Sequence, residues 1–230
     1  MFERNFRIGT RSSPLAIKQV NEVIGSLKRI DPLRQFTIVR IETYGDKDKA
    51  TPISEIEGTD FFTREIEDAL VKGEVDFAVH SAKDLADELA DGLTIAAITK
   101  PVDPYDALVS NGDLKLKTLP LRARIGTSSR RRKEQLKRFR SDFHIVDIRG
   151  TIEERLALLD DNAVRNIDAI VIAACALVRL GLKKRIAERL PFEILKPHPL
   201  QGSLAVEARR EDSDLIAFLS SIDTRKGVLS

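Results

Sequence analysis

FRIGTRSSPLAIKQVNEVIGSL, residues 6–27, decides the fold. Phe6 to Thr10 reads as a short apolar strand. Ser13 then stands as an N-cap and Pro14 takes the first helical position, where its missing N–H is no loss and its fixed φ suits the helix. From there Ala16, Val20, Val23 and Leu27 recur at helical spacing, so the helix has one apolar face to bury. A strand running straight into an amphipathic helix is half of a β-α-β unit, and the rhythm continues downstream. Phe36 to Thr43 reads as a strand, Phe61 to Val71 as a helix, Val75 to His80 as a buried strand and Thr94 to Ile98 as another. The class is α/β, with mainly parallel sheets expected.

Lys100-Pro101-Val102-Asp103-Pro104 interrupts the pattern, because two close prolines break helix and sheet alike. Beyond it strands are expected at Ala107–Ser110, Arg124–Thr127, His144–Asp147 and Ala169–Ala173, with helices beginning near Ser129, Thr151 and Ala174. Thr151 with Glu154 forms a capping box. A second proline-rich stretch, Lys196-Pro197-His198-Pro199, leaves a strand at Ser203–Glu207 and a helix at Asp212–Ser221, too little for a domain of their own. They are expected to return to the first lobe. The organisation is then residues 1–99 with 200–230 as one lobe and 100–199 as the other, with a hinged cleft between them as the site.

Composition narrows the function classes. Lys and Arg number 38 against 36 Asp and Glu, a formal +2, so no global field recruits a polyanion. The single cysteine excludes an internal disulfide framework and a cysteine zinc site. His80, His144 and His198 lack metal-ligand spacing, and His80 is expected to end a buried strand with a satisfied ring. The common nucleotide-binding loops are absent. No apolar stretch is long enough to span a bilayer, and Met1-Phe2-Glu3-Arg4 has no signal-peptide character, so the expected location is the cytoplasm.

Chemistry concentrates at strand-to-helix junctions: Gly9-Thr10-Arg11-Ser12-Ser13, His80-Ser81-Ala82-Lys83-Asp84, Gly126-Thr127-Ser128-Ser129-Arg130-Arg131-Arg132 and Ile148-Arg149-Gly150-Thr151. There the next helix presents unpaired N–H groups and the positive end of its dipole, so anions are favoured. Arginine adds bidentate carboxylate recognition. A plain helix cap explains Ser12 and Thr151, and a solvated helix face explains Arg130 and Lys133. For one arginine such an explanation suffices; recurrence at successive strand ends points to a substrate with several carboxylates or phosphates. Asp84 differs, since a carboxylate among cations can stabilise a cationic intermediate or transfer a proton, the alternative being a structural Lys83–Asp84 ion pair. Cys175 reads as a small core residue.

In order and spacing these stretches closely resemble the porphobilinogen deaminase family, with Arg149-Gly150 followed by Arg155, and Asp168-Ala169-Ile170 leading to Arg179-Leu180-Gly181. The resemblance implies two lobes like those of periplasmic binding proteins. It also implies transferase chemistry that joins four porphobilinogen molecules into hydroxymethylbilane and releases ammonia, on the route to porphyrins and heme. Asp84 is then the catalytic carboxylate. Arg11, Ser13, Lys83, Ser129, Arg131, Arg132, Arg149, Arg155 and Arg179 become ligands for acetate and propionate groups, and Thr127, Ser128, Gly150 and Gln201 from the same motifs join the binding set. The implied cofactor is dipyrromethane, held by a thioether to a cysteine of a third, C-terminal domain that this chain does not contain. Cys175 aligns elsewhere and is not that anchor, so a separate polypeptide carrying the cofactor domain is a possible partner.

The chain departs from the family at Leu200-Gln201-Gly202, Thr151-Ile152 and Cys175-Ala176-Leu177. Two rivals remain at this stage: a shortened or solute-binding-type protein that closes on a small polycarboxylate without full catalysis, and nucleic-acid binding through Arg130–Lys133 and Lys137–Arg140. The near-zero net charge and lack of interleaved aromatics oppose the second.

Overall fold

The opening strand and helix form as their residues dictate. In the computed structural model, which describes residues 5–48, 59–86, 88–161 and 166–225, strand β1 (Phe6–Arg11) leads into helix α1 (Pro14–Lys28). The Ser13 hydroxyl caps α1 by accepting from the Ala16 N–H at 3.2 Å. Ala16, Val20, Val23 and Leu27 are buried, and so is Gln19 on the same face.

The chain divides into two compact units. One is built from the described residues up to Pro101 together with those from Ser203 onward, and the other from those between Val102 and Gly202. In the first, β1 pairs with β2 (Phe36–Ile41) and β3 (Phe77–Ser81), and β10 (Leu204–Arg209) lies between β3 and β4 (Leu93–Ile98), giving the order β2-β1-β3-β10-β4. Ile8, Val20, Val23, Phe77, Val79 and Val206 join in its core. Helix α2 (Tyr44–Lys47) and helix α3 (Arg64–Val71) follow β2. The expected helix from Phe61 starts late because Asp60–Phe62 is a separate 3-10 turn and Thr63, at φ −121° and ψ −26°, breaks the run.

The second unit repeats the plan, with β5 (Asp106–Ser110), β6 (Arg124–Gly126), β7 (His144–Val146), β8 (Ala169–Ala173) and β9 (Glu188–Leu190) in the order β7-β6-β8-β5-β9. Its helices are α4 (Arg130–Phe139), α5 (Ile152–Asp160) and α6 (Ala174–Arg179). The capping box holds: Thr151 N–H donates to Glu154 Oε2 at 2.7 Å, and Glu154 N–H to Thr151 Oγ1 at 3.2 Å.

Both sheets are mixed, where mainly parallel ones were expected. β1–β2, β1–β3, β6–β7 and β6–β8 are parallel, but β10 and β5 run antiparallel to both of their neighbours. Each is the first strand the chain forms after passing from one unit to the other. No right-handed β-α-β connection dictates its direction.

Candidate functional site

The first unit has an open pocket where β1 and β3 end and α1 begins. Arg11, Ser13, Gln19, Phe62, His80 and Asp84 are among the residues that line it. Arg11 ends β1 and is aimed by two neighbours: its Nε donates to Asp46 Oδ1 at 3.0 Å, its Nη2 pairs with the same oxygen, and its guanidinium sits 4.4 Å from the Phe62 ring centroid. Burial pushes the Asp46 carboxyl up, but the Arg11 hydrogen bond and charge, with Thr43, hold it below the ordinary 3.8. Asp46 therefore stays ionised and keeps Arg11 oriented. Gln19 Nε2 donates to Ser81 Oγ at 2.7 Å, which ties α1 to the end of β3.

Lys83 and Asp84 occupy the 3-10 turn after β3, anchored where the Ala82 N–H donates to Ser203 O at 3.0 Å. Neither side chain makes a hydrogen bond or ion pair among the described residues, so the structural Lys83–Asp84 pair weighed above does not form. Asp84 is exposed and lines the pocket; Lys83 stands outside the lining. His80 is buried, and one of its ring nitrogens, Nε2, lies 3.0 Å from Glu207 Oε2.

In the second unit the β6 end carries Thr127, Ser128 and Ser129. Ser129 holds the N-cap position of α4. Ser128 Oγ accepts from the Ile148 N–H at 3.1 Å and also bonds to Ile148 O, so it braces the two strand-end loops. Thr127 is 1% exposed, and its Oγ1 has no hydrogen-bond partner. A buried hydroxyl beside a helix N-terminus is a group left for a ligand.

Arg131, Arg132 and Gln201 come together on Asp106, which is fully buried. Arg132 donates through Nε and Nη2 to Asp106 Oδ1 at 3.0 and 2.6 Å, through Nη2 to Gln201 Oε1 at 3.3 Å and through Nη1 to Val171 O at 3.4 Å. Gln201 Nε2 donates to Asp106 Oδ1 at 3.0 Å and Pro104 O at 2.8 Å. Arg131 Nη2 reaches Asp106 Oδ2 at 2.8 Å, and its side chain keeps 27% exposure against 8% for Arg132. Two guanidinium groups on one carboxylate leave net positive charge, and it surfaces on Arg131.

Arg149 and Arg155 flank the turn at Gly150, where Arg155 Nε donates to Gly150 O at 2.9 Å; Arg179 Nη2 donates to Gly202 O at 2.8 Å. Gly150 has φ +101°, and a Cβ there would stand 3.1 Å from Glu154 Cβ and collide with its carboxylate. Gly150→Ala is accordingly expected to cost about 1–3 kcal/mol of stability, through strain and loss of the capping box. Urea unfolding measures this, and a loss below about 0.5 kcal/mol, the level of an ordinary surface change, would show that the turn relaxes without strain.

The basic run is locally engaged: Arg130 pairs with Glu134 at 3.1 Å, Lys133 with Asp147 at 2.7 Å, and Arg140 with Asp142 at 2.8 Å. Cys175 is a buried free thiol. Among the described residues no His, Cys, Asp or Glu cluster could hold a metal, and no helix is long and apolar enough to cross a membrane.

Missed by sequence reasoning were the carboxylates Asp46, Asp106 and Glu207 and the amide Gln19. Gln19 did leave a signal, a polar residue on the apolar stripe of α1.

Comparison with known proteins gives a consistent result. The family model described as porphobilinogen deaminase, dipyromethane cofactor binding domain, matches residues 6–217. The porphobilinogen deaminase of Natranaerobius thermophilus is 43% identical over 225 residues, covering 96% of this chain and 72% of that one. That of Geobacter metallireducens is 42% identical over 231 residues, covering 99% and 71%. Among solved structures, the periplasmic VFT2 domain of Bordetella pertussis BvgS shares the fold, at 17% identity and TM-score 0.51 over 98% of this chain and 88% of that one.

Proposed function

The chain belongs to the porphobilinogen deaminase family, and from that premise we propose that it acts in joining four porphobilinogen molecules into hydroxymethylbilane with release of ammonia. The observation that carries this is Asp84, a carboxylate with no partner among the described residues, at the rim of a pocket whose arginine is already oriented. Porphobilinogen brings an acetate and a propionate to such a place, and its aminomethyl group leaves as ammonia. Arg11 and Ser13 bind the acids in the pocket of the first unit, Lys83 adds positive charge from outside its lining, and Asp84 balances the positive charge that develops and takes up or returns the proton.

In the second unit Thr127, Ser129, Arg131, Arg149, Arg155 and Arg179 bind further carboxylates. Ser128, Gly150, Arg132 and Gln201 form the frame that holds them.

The family model is that of a dipyrromethane-binding domain, and the second unit fits the carboxylates of that group: the partnerless Thr127 Oγ1 lies at the N-terminus of α4, and net positive charge surfaces on Arg131. Thr127, Ser129 and Arg131 would hold it there. When bound, it supplies the pyrrole chain end to which new units are joined. Its thioether does not fit Cys175, which is buried beside Ala174 and Ala176, so the anchoring cysteine lies outside these 230 residues, on a separate polypeptide or on more of the same one.

Incubation with porphobilinogen, followed by assay for linear tetrapyrrole and intact mass, tests this. Product, or saturable binding of porphobilinogen without added mass on Cys175, is the expected result. Neither binding nor turnover would overturn the assignment.

A further inference from the structure

Three elements bring titratable side chains together behind the pocket of the first unit. β3 carries His80, β10 carries Glu207 and α3 carries Glu67. His80 Nε2 lies 3.0 Å from Glu207 Oε2, with the two side chains 4% and 0% exposed. Glu67 is also buried, one helical turn on from Thr63, another residue of the pocket lining. Glu207 and Glu67 each keep one buried carboxylate oxygen, Oε1, without a partner.

Buried carboxyl groups that feel each other's charge do not both ionise freely. Burial pushes the Glu67 carboxyl up and the charge of Glu207 adds to it; Thr63 and His80 oppose this, and the net direction is upward.

Glu207 Oε2 is the group within hydrogen-bonding reach of Nε2, and a carboxylate that accepts from an imidazole N–H fixes which ring nitrogen carries the proton. The other ring nitrogen, Nδ1, has no hydrogen-bonding partner among the described residues. Because His80 lines the pocket together with Asp84, Nδ1 is the polar atom the ring can offer to an occupant.

We infer that Glu207 is a positioning residue: by accepting from Nε2–H it fixes the ring of His80 and directs Nδ1 to the ligand beside Asp84. The identity of that ligand rests on the function proposed above; the hydrogen-bond pattern does not. His80 meets the ligand, and Glu207 acts through His80.

Long-range ¹H–¹⁵N correlation spectra of histidine-labelled protein provide the test, with the His80 signals assigned from His80→Gln. In the wild-type protein the expected pattern is a proton on Nε2, with Nδ1 as the nitrogen that responds when porphobilinogen is added. Glu207→Gln, whose amide can donate as well as accept, is expected to mix the two ring tautomers and to lower kcat on the order of tenfold to a hundredfold through misplacement of the ring. A wild-type spectrum with the proton on Nδ1 overturns the inference, and so does a Glu207→Gln protein with wild-type tautomer and kinetics. Should Glu207→Gln fail to fold, the wild-type spectrum decides alone. A protein with the expected tautomer that neither binds nor turns over porphobilinogen counts against the proposed function and leaves the positioning role supported.

Discussion

Asp106→Asn is expected to lower the unfolding free energy by about 3–5 kcal/mol, the usual cost of removing one member of a buried ion pair. Asp106 is fully buried at the start of β5 and receives Arg131, Arg132 and Gln201 together. Taking away its charge strands Arg132, which is only 8% exposed, and unhooks Gln201 from the strand it braces. Arg131→Ala should cost less, about 1 kcal/mol, because that side chain is partly in water and its loss still leaves Arg132 on the carboxylate. Urea unfolding followed by far-UV circular dichroism measures both. A loss below about 1 kcal/mol for Asp106→Asn, no more than one ordinary hydrogen bond, would mean that the network does not hold the unit together.

The same carboxyl sets a pH dependence whose sign can be worked out. Burial pushes Asp106 up, but the charges of Arg132 and Arg131 outweigh it, and the net position is below the ordinary 3.8. A folded-state value below the unfolded one means that the native state binds the proton less readily. The stabilisation is complete above the unfolded value and is lost as pH falls through the folded one. Wild-type stability should therefore decline below about pH 4, with Asp142, held at about 2 by the Arg140 hydrogen bond, titrating in the same acid range. Asp106→Asn should show a shallower acid decline.

These networks mark where the sequence is legible and where it is not. The strand into α1, the Ser13 cap and the Thr151–Glu154 capping box can be read directly, because each is settled by residues within a few positions of one another. The clustering of arginines at strand ends is legible for the same reason. Their partners are not: Asp46 lies 35 positions from Arg11, and Asp106 lies 26 from Arg132. No local pattern marks an aspartate that will be buried against a distant arginine. Strand direction fails similarly, since β5 and β10 have the same apolar composition as a parallel strand and only the passage of the chain between units sets their sense. Glu207 has the weakest signal, one acid inside the apolar run from Leu204 to Ala208. In hindsight that is informative, because an acid on a fully buried strand needs a partner.

Asp84→Asn should produce the largest effect on turnover, a fall of at least about a hundredfold, while leaving the fold unchanged within about 0.5 kcal/mol. The two expectations have one cause. Asp84 is exposed and makes no hydrogen bond or ion pair among the described residues, so its charge does nothing for stability. A carboxylate at a pocket rim that contributes nothing to the protein is available to whatever the pocket holds. Asparagine keeps the shape but carries no negative charge and takes up no proton, so a step that builds positive charge loses its counter-charge while binding of the substrate's acids persists. The signature is a lowered kcat with KM nearly unchanged and the same unfolding curve as wild type. Asp46→Asn separates this from a general loss of acidity near the pocket: it frees Arg11 from its orienting partner, so it should raise KM more than it lowers kcat. If Asp84→Asn kept its turnover, the carboxylate would not be the charge-balancing group, and the role assigned to Asp84 would fall.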